Sequence, residues 1–100
     1  MILTESDRGR TVEVAAGSLV TLRLRENPTT GYRWSLQSTG GLELVGDRFE
    51  PGGAIGAAGV RVLEFRAARR GTHAIRLQNR REWEGTGSAV DQFETTVVVT

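Results

Sequence analysis

The sequence predicts an all-β protein, a sandwich of seven or eight antiparallel strands. Apolar residues recur at every second position, and no stretch keeps a helical period for long. Turn signals rich in glycine, proline and asparagine separate these runs. A chain of 100 residues is expected to fold as one domain, residues 1–100, around one modest core.

The alternation is clearest in residues 18–25, where valine or leucine at positions 20, 22 and 24 alternates with polar residues. The same pattern recurs at residues 63–67, 73–78 and 92–99, and shorter candidates are Val12–Val14, Tyr32–Leu36 and Leu42–Val45. Each is typical of a half-buried strand with one face in water. The predicted core residues are Val20, Leu22, Trp34, Leu63, Phe65, Ile75, Leu77 and Phe93.

Composition excludes several classes of function. The formal net charge is +1, which argues against a general role on nucleic acid or on a membrane surface. No apolar run approaches the roughly 18–20 residues that span a bilayer. The chain has no cysteine, which excludes disulfides, thiolate metal sites and a cysteine nucleophile. The N-terminus lacks the charged and apolar regions of a signal peptide. We therefore expect a cytoplasmic protein, or a secreted or periplasmic one if a leader has been removed.

The first of three unusual connecting segments is Glu26–Trp34, with the sequence E-N-P-T-T-G-Y-R-W. Asn-Pro starts a turn, because proline fixes φ and favours extended geometry in the residue before it. Gly31 permits the positive φ with which the chain re-enters a strand. Thr29 and Thr30 would then lie at the tip of a narrow, stiff loop. The alternative is an ordinary hairpin loop with Tyr32 and Trp34 as core residues.

The second segment, Phe49–Gly59, contains four glycines and three alanines, so its backbone is almost bare. A phosphate-binding loop is excluded, because no helix follows and no Lys-Ser/Thr pair completes the motif. Two interpretations remain. The segment is either a backbone surface that another chain approaches closely, as in strand addition, or a flexible linker between strands.

The third segment, Asn79–Gly87, follows one predicted strand and precedes another, so Trp83 is expected in a loop. An exposed tryptophan flanked by arginine is typical of an anchor for a partner protein. The alternative is a tryptophan folded back over the edge of the sandwich.

No constellation for catalysis is present in the sequence. His73, the only histidine, lies on the apolar side of its strand, which favours a hydrogen-bonded core residue over a general base. Glu82 and Glu84 form a possible carboxylate pair, but nothing near them in sequence would keep one protonated. There is no nucleophile–base set and no metal-ligand spacing. We therefore expect a binding protein with no catalytic residue, no metal and no cofactor.

Taken together, the three segments resemble the chagasin family of cysteine-peptidase inhibitors. That family has N-P-T-T-G with an aromatic residue, then a glycine-rich loop, then R-P-W. The matching residues here are Asn27, Pro28, Thr29, Thr30, Gly31 and Tyr32, then Gly56, Ala57, Ala58 and Gly59, then Arg81, Glu82 and Trp83. Glu82 stands where the family usually has proline, and Ala58 replaces one of the usual glycines. These departures bear on affinity and target range.

The resemblance implies an immunoglobulin-like β-sandwich that inhibits papain-like cysteine peptidases reversibly and without a covalent bond. The matching residues would form the peptidase-binding surface. The loop Asn27–Gly31 would cover the catalytic cysteine, the glycine-rich loop would lie along the non-primed side, and Arg81–Trp83 would pack on the primed side. We expect a monomer that binds one peptidase and neither nucleic acid nor membrane. The main alternative is an immunoglobulin-like carbohydrate-binding or adhesion module, with Trp34 or Trp83 as a platform for sugar.

Overall fold

The computed structural model describes residues 1–27, 30–53, 58–81 and 91–100, and these residues form eight β-strands. The strands are β1 Ile2–Leu3, β2 Thr11–Val14, β3 Leu19–Glu26, β4 Tyr32–Ser38, β5 Glu43–Glu50, β6 Gly59–Arg66, β7 Gly71–Arg81 and β8 Asp91–Val99. A 3₁₀ turn, Glu5–Asp7, separates β1 from β2. In the described ranges no helix has the length and apolar character to cross a membrane. The predicted all-β class is confirmed.

The strands form two four-stranded sheets that pack face to face. The first has the order β1-β3-β6-β5, and the second has the order β2-β8-β7-β4. Pairing is antiparallel for β3–β6, β5–β6, β4–β7 and β7–β8, as predicted. The pairs β1–β3 and β2–β8 are parallel, which the sequence did not reveal. Neither pair is joined by a hairpin, so nothing in the connection requires the antiparallel arrangement.

Several strands extend beyond their predicted bounds, and β5 and β7 extend furthest at their C-terminal ends. Strand β5 reaches Glu50 because a register shift between Leu44 and Gly46 accommodates Val45 as an extra residue, and pairing with β6 resumes at Gly46. Strand β7 reaches Arg81 because residues 79–81 pair with the start of β4. Gly59 likewise begins β6. Residues 49–50, 59 and 79–81 therefore belong to strands, and the expectation that they lie in loops was wrong.

The core lies between the sheets and contains every residue predicted for it. Each of those eight residues exposes 8% or less of its surface. Other members are Leu3, Val14, Leu24, Leu42, Ala67, Val97 and Val99. Burying one large apolar side chain contributes about 1.5–3 kcal/mol, so this cluster is the main source of stability in a chain without disulfides.

His73 is a structural residue, as the sequence indicated. It is buried, and its Nδ1 lies 2.5 Å from the Gly40 carbonyl oxygen. Its Nε2 lies 2.9 Å from the carbonyl oxygen of Arg69. The ring therefore joins two turns at the end of the sandwich where β4 and β6 finish.

Candidate functional site

Strand register brings the three connecting segments to one end of the sandwich. Glu26, the last residue of β3, lies opposite Gly59, the first residue of β6. Tyr32 begins β4 opposite Arg81, the last residue of β7. Strand β5 ends and strand β8 begins at this end as well. We call this the loop end, defined by the last residues of β3, β5 and β7 and the first residues of β4, β6 and β8.

The described residues include about half of the candidate binding residues. Those described are Asn27, Thr30, Gly31, Tyr32, Ala58, Gly59 and Arg81. The candidates Pro28, Thr29, Gly56, Ala57, Glu82 and Trp83 lie outside the described residues. Register alone therefore places the bases of the three segments beside one another.

The first segment is closed by its own hydrogen bonds. The Thr30 hydroxyl donates to the carbonyl oxygen of Asn27 over 2.9 Å. It also accepts from the N–H of Tyr32, with 3.4 Å between the two atoms. Gly31 has φ of 79°, so the predicted positive φ is confirmed at a position where other residues would be strained. A threonine side chain thus stabilises the turn in which it lies.

Arg81 connects the third segment to the first. Its Nε donates to the carbonyl oxygen of Thr30 over 3.2 Å. Its guanidinium carbon lies 4.4 Å from the centre of the Tyr32 ring, close enough for a cation–π interaction. Arginine suits this role because one planar group both donates and stacks.

The glycine-rich segment ends in a residue with an internal packing role. Gly59 is buried, and a Cβ placed on it would overlap the Glu50 carbonyl oxygen and the Phe49 ring. The absence of a side chain therefore lets β5 and β6 approach each other. Ala58, the preceding residue, is exposed and lines a depression at the loop end, where a partner has access to it.

Sequence reasoning missed a buried ion pair beneath the loop end. Glu26 exposes only 2% of its surface. Its Oε1 accepts from Nη2 of Arg61 over 2.7 Å, and its Oε2 accepts from Nε of the same residue over 3.2 Å. Oε2 also accepts from the backbone N–H of Trp34 over 2.9 Å. The hydrogen bonds between Arg61 and Glu26 raise the pKa of Arg61, and their effect outweighs that of burial, which lowers it.

The sequence carries a signal for this pair. Glu26 follows Val20, Leu22 and Leu24 in the alternation of β3, so its side chain points into the core. Arg61 precedes Leu63 and Phe65 on the inward face of β6. Each of these charged residues occupies a position in the alternation at which the rest of its strand has a buried apolar residue. Two such residues of opposite charge on neighbouring strands indicate a buried pair, because an unpaired buried charge is very costly.

Trp34 is a core residue. It is 8% exposed, and its indole N–H donates to the Arg25 carbonyl oxygen over 2.9 Å. A sugar platform needs an exposed ring face, so Trp34 does not provide one. The other candidate platform, Trp83, lies outside the described residues.

The N-terminal segment is also fastened at the loop end. The carboxylate of Glu5 accepts from the backbone N–H of Arg25. Arg8 forms an ion pair with Asp91, the first residue of β8, at 2.9 Å. Partial burial disfavours ionisation of Asp91, but hydrogen bonds from Arg8 and from the Gln92 N–H prevail and lower its pKa. The start of β8 is thereby anchored to the N-terminal segment.

The described residues contain no group of three histidine, aspartate or glutamate side chains arranged to hold a metal ion. The loop end instead presents a short, hydrogen-bonded turn between two further chain segments. Connecting segments grouped at one end of a rigid sandwich are typical of a surface that binds a partner.

Comparison with known proteins identifies the family. Residues 13–97 match the model of the chagasin family peptidase inhibitor I42, so the chain belongs to that family. It is 31% identical to chagasin of Trypanosoma cruzi over 101 residues, covering 91% of this chain and 90% of chagasin. It is 29% identical to amoebiasin-2 of Entamoeba histolytica over 103 residues, covering 98% of this chain and 84% of that protein. The crystal structure of EhICP2, a cysteine protease inhibitor from Entamoeba histolytica, has a TM-score of 0.85 and 27% identity, covering 99% of this chain and 93% of that one.

The chain is therefore a cysteine protease inhibitor of the chagasin family with an immunoglobulin-like sandwich fold, and it is not an enzyme. The carbohydrate-binding or adhesion alternative is not favoured. Neither the family nor the buried position of Trp34 supports it.

Proposed function

We propose that the loop end is the surface with which this inhibitor occludes the active-site cleft of a papain-like cysteine peptidase. One inhibitor binds one peptidase, reversibly and without a covalent bond. The binding residues are the candidates already named on the three segments, with Thr29 and Thr30 at the tip of the first.

The observation that carries this proposal is the pair of contacts between Arg81 and the first segment. The hydrogen bond to Thr30 and the stacking on Tyr32 tie the bases of two segments that are remote in sequence. These contacts favour a single preformed surface over three independently moving loops. Binding then orders few new groups, and this small entropic cost favours tight association.

The same geometry predicts resistance to cleavage at the two ends of the turn. A peptidase cleaves a chain only when a carbonyl carbon reaches the thiolate in attack geometry. The Asn27 carbonyl oxygen is already occupied by the Thr30 hydroxyl, and the Thr30 carbonyl oxygen is occupied by Arg81. The inhibitor thus holds the carbonyl groups at Asn27 and Thr30 in its own hydrogen bonds, which disfavours attack at these two positions when the turn fills the cleft.

Inhibition of papain is the direct test. We expect activity to fall with one equivalent of inhibitor and to return when the complex is diluted or outcompeted by substrate. Trp83→Ala should weaken inhibition by about 2–4 kcal/mol, the range of a buried aromatic anchor. Leu19→Ala is the matched control, because Leu19 is 50% exposed at the opposite end of β3.

Both variants should melt close to the wild-type temperature. If Leu19→Ala and Trp83→Ala weaken inhibition equally, or if neither does, the loop end is not the binding surface. If Trp83→Ala unfolds the protein, Trp83 is a core residue and not an anchor.

A further inference from the structure

We propose that Glu26 and Arg61 are positioning residues that set the relative placement of the first two binding segments. The inference rests on the proposed function, since it concerns how the same surface is held. Neither residue belongs to the family motif that the sequence matches. Glu26 is buried and Arg61 is half-buried, so both lie largely below the surface that would meet a peptidase.

Glu26 clamps both ends of the first segment. It immediately precedes Asn27, while the backbone N–H that it accepts belongs to Trp34, eight positions further along the chain. The carboxylate therefore joins the last residue of β3 to β4, which lies in the other sheet. The turn between them is fixed at its base by one side chain.

Arg61 extends the clamp to the second segment. It lies two positions after Gly59 on β6, at the end of the glycine-rich stretch. Its Nη1 donates to Asp47 of β5 over 3.2 Å, so the guanidinium also reaches the strand on the other side of that segment. The side chain is 16% exposed and lies 5.7 Å from the Phe49 ring centre, which limits its freedom to rotate.

The contacts join three segments in series. Asp47 and Arg61 fasten the second segment to Glu26, Glu26 fastens β4, and Arg81 fastens the first segment to the third. Every link is a directional hydrogen bond with a planar group at one end. Such bonds define angles as well as distances, whereas apolar contacts fix neither closely.

Stability alone does not account for this pair. A buried ion pair costs desolvation, and apolar residues of similar volume often stabilise a fold as well or better. Removing one partner leaves an uncompensated buried charge and risks unfolding. The informative variant therefore removes both charges together.

The double variant Glu26→Gln with Arg61→Met serves this purpose. Glutamine keeps an oxygen that accepts from the Trp34 N–H, and methionine fills the space of the arginine stem. The matched control is Arg76→Met with Glu94→Gln, which removes the same charges from an exposed pair at 3.0 Å. That pair joins β7 and β8 away from the loop end.

The first measurement uses the free inhibitor and needs no peptidase. Amide hydrogen exchange at Thr30 and Tyr32 should accelerate by about tenfold in the double variant, because Arg61 no longer holds the side chain that accepts from the Trp34 N–H at the base of the turn. Exchange at the centre of the β3–β6 ladder should not change, and the control should resemble wild type throughout. A purely structural role would accelerate all amides together and lower the melting temperature.

The second measurement is inhibition of papain by the same proteins. The inhibition constant should rise about tenfold for the double variant, the cost of ordering a few released side chains, and should stay within about twofold for the control. Unchanged exchange in the double variant overturns the proposal. The proposal is also overturned if the amides of the turn exchange faster in the double variant while its inhibition constant for papain is unchanged. If wild type itself fails to inhibit papain, the proposed function is refuted, while the exchange data still decide whether Glu26 and Arg61 hold the turn.

Discussion

Gly59 offers a sharp test of how the glycine-rich segment contributes to the fold. Its φ does not lie in the left-handed region, so alanine is compatible with the backbone and the only obstacle is steric. The added Cβ would meet two groups, the Glu50 carbonyl oxygen and the Phe49 ring. The ring has some freedom to turn, but the carbonyl belongs to the β5–β6 ladder, in which Glu50 pairs with Val60. Gly59→Ala therefore forces a shift of the backbone.

Overpacking of this kind costs about 1–3 kcal/mol. For a domain of this size, that corresponds to a fall in Tm of roughly 5–20 °C. Gly53→Ala is the control within the same segment. A Cβ there meets no atom of the described residues within 4 Å, and its φ does not lie in the left-handed region. It should leave stability unchanged or raise it by up to about 1 kcal/mol, because alanine restricts the unfolded chain.

The assay is thermal melting of the two variants beside wild type, followed by inhibition of papain. Gly59→Ala should melt lower and also inhibit less well, since the shifted backbone leads directly into the second binding segment. Equal melting temperatures for the two variants would refute the packing argument. The bare backbone at Gly59 would then serve the partner and not the fold.

Three further variants each remove one hydrogen-bonding group. Trp34→Phe removes the donor to the Arg25 carbonyl oxygen and should cost about 1–3 kcal/mol in thermal melting, whereas an unchanged melt would contradict the buried position. Thr30→Ala should weaken papain inhibition by about 1 kcal/mol, because it removes the hydroxyl that bonds within the turn. Thr30→Ser keeps this hydroxyl and should weaken inhibition less. Equal weakening by the two variants would show that the hydrogen bonds within the turn are unimportant. The pKa of Glu50 is lowered, and the hydrogen bond from Arg23 is the largest cause. The ionised carboxylate therefore contributes its whole stabilisation of the fold above its unfolded pKa of about 4.3. This stabilisation is lost as the pH falls through the lower pKa of the folded state. The difference in Tm between wild type and Glu50→Gln should therefore shrink from about pH 6 to about pH 3, and a constant difference would contradict the assignment.

Much of the fold was predictable because burial follows a local rule. Residues i and i+2 of a strand share a face, so Val20, Leu22 and Leu24 had to be buried together wherever the partner strand lay. The motif of the first segment was equally local, since the turn at Gly31 requires a positive φ in any context. The order of the three segments along the chain was then sufficient to recognise the family.

Strand ends were less predictable because pairing partners determine them. Residues 79–81 are polar and resemble a loop, yet β4 supplies hydrogen-bond partners for their backbone. Strand β1 pairs in parallel with β3 and is only two residues long, which is too short for an alternating pattern to predict it.

The sequence by itself therefore determined the class of fold, the inward faces of the strands and the family to which the chain belongs. Only the tertiary structure decided that Gly59 packs against β5, that Glu26 meets Arg61, and that Arg81 reaches the first segment. The physical reason is the separation along the chain of the residues on which each feature depends. Alternation and turn geometry depend on neighbours in the chain, whereas a clash or a hydrogen bond between strands depends on register. Register is set by all the strands of a sheet together.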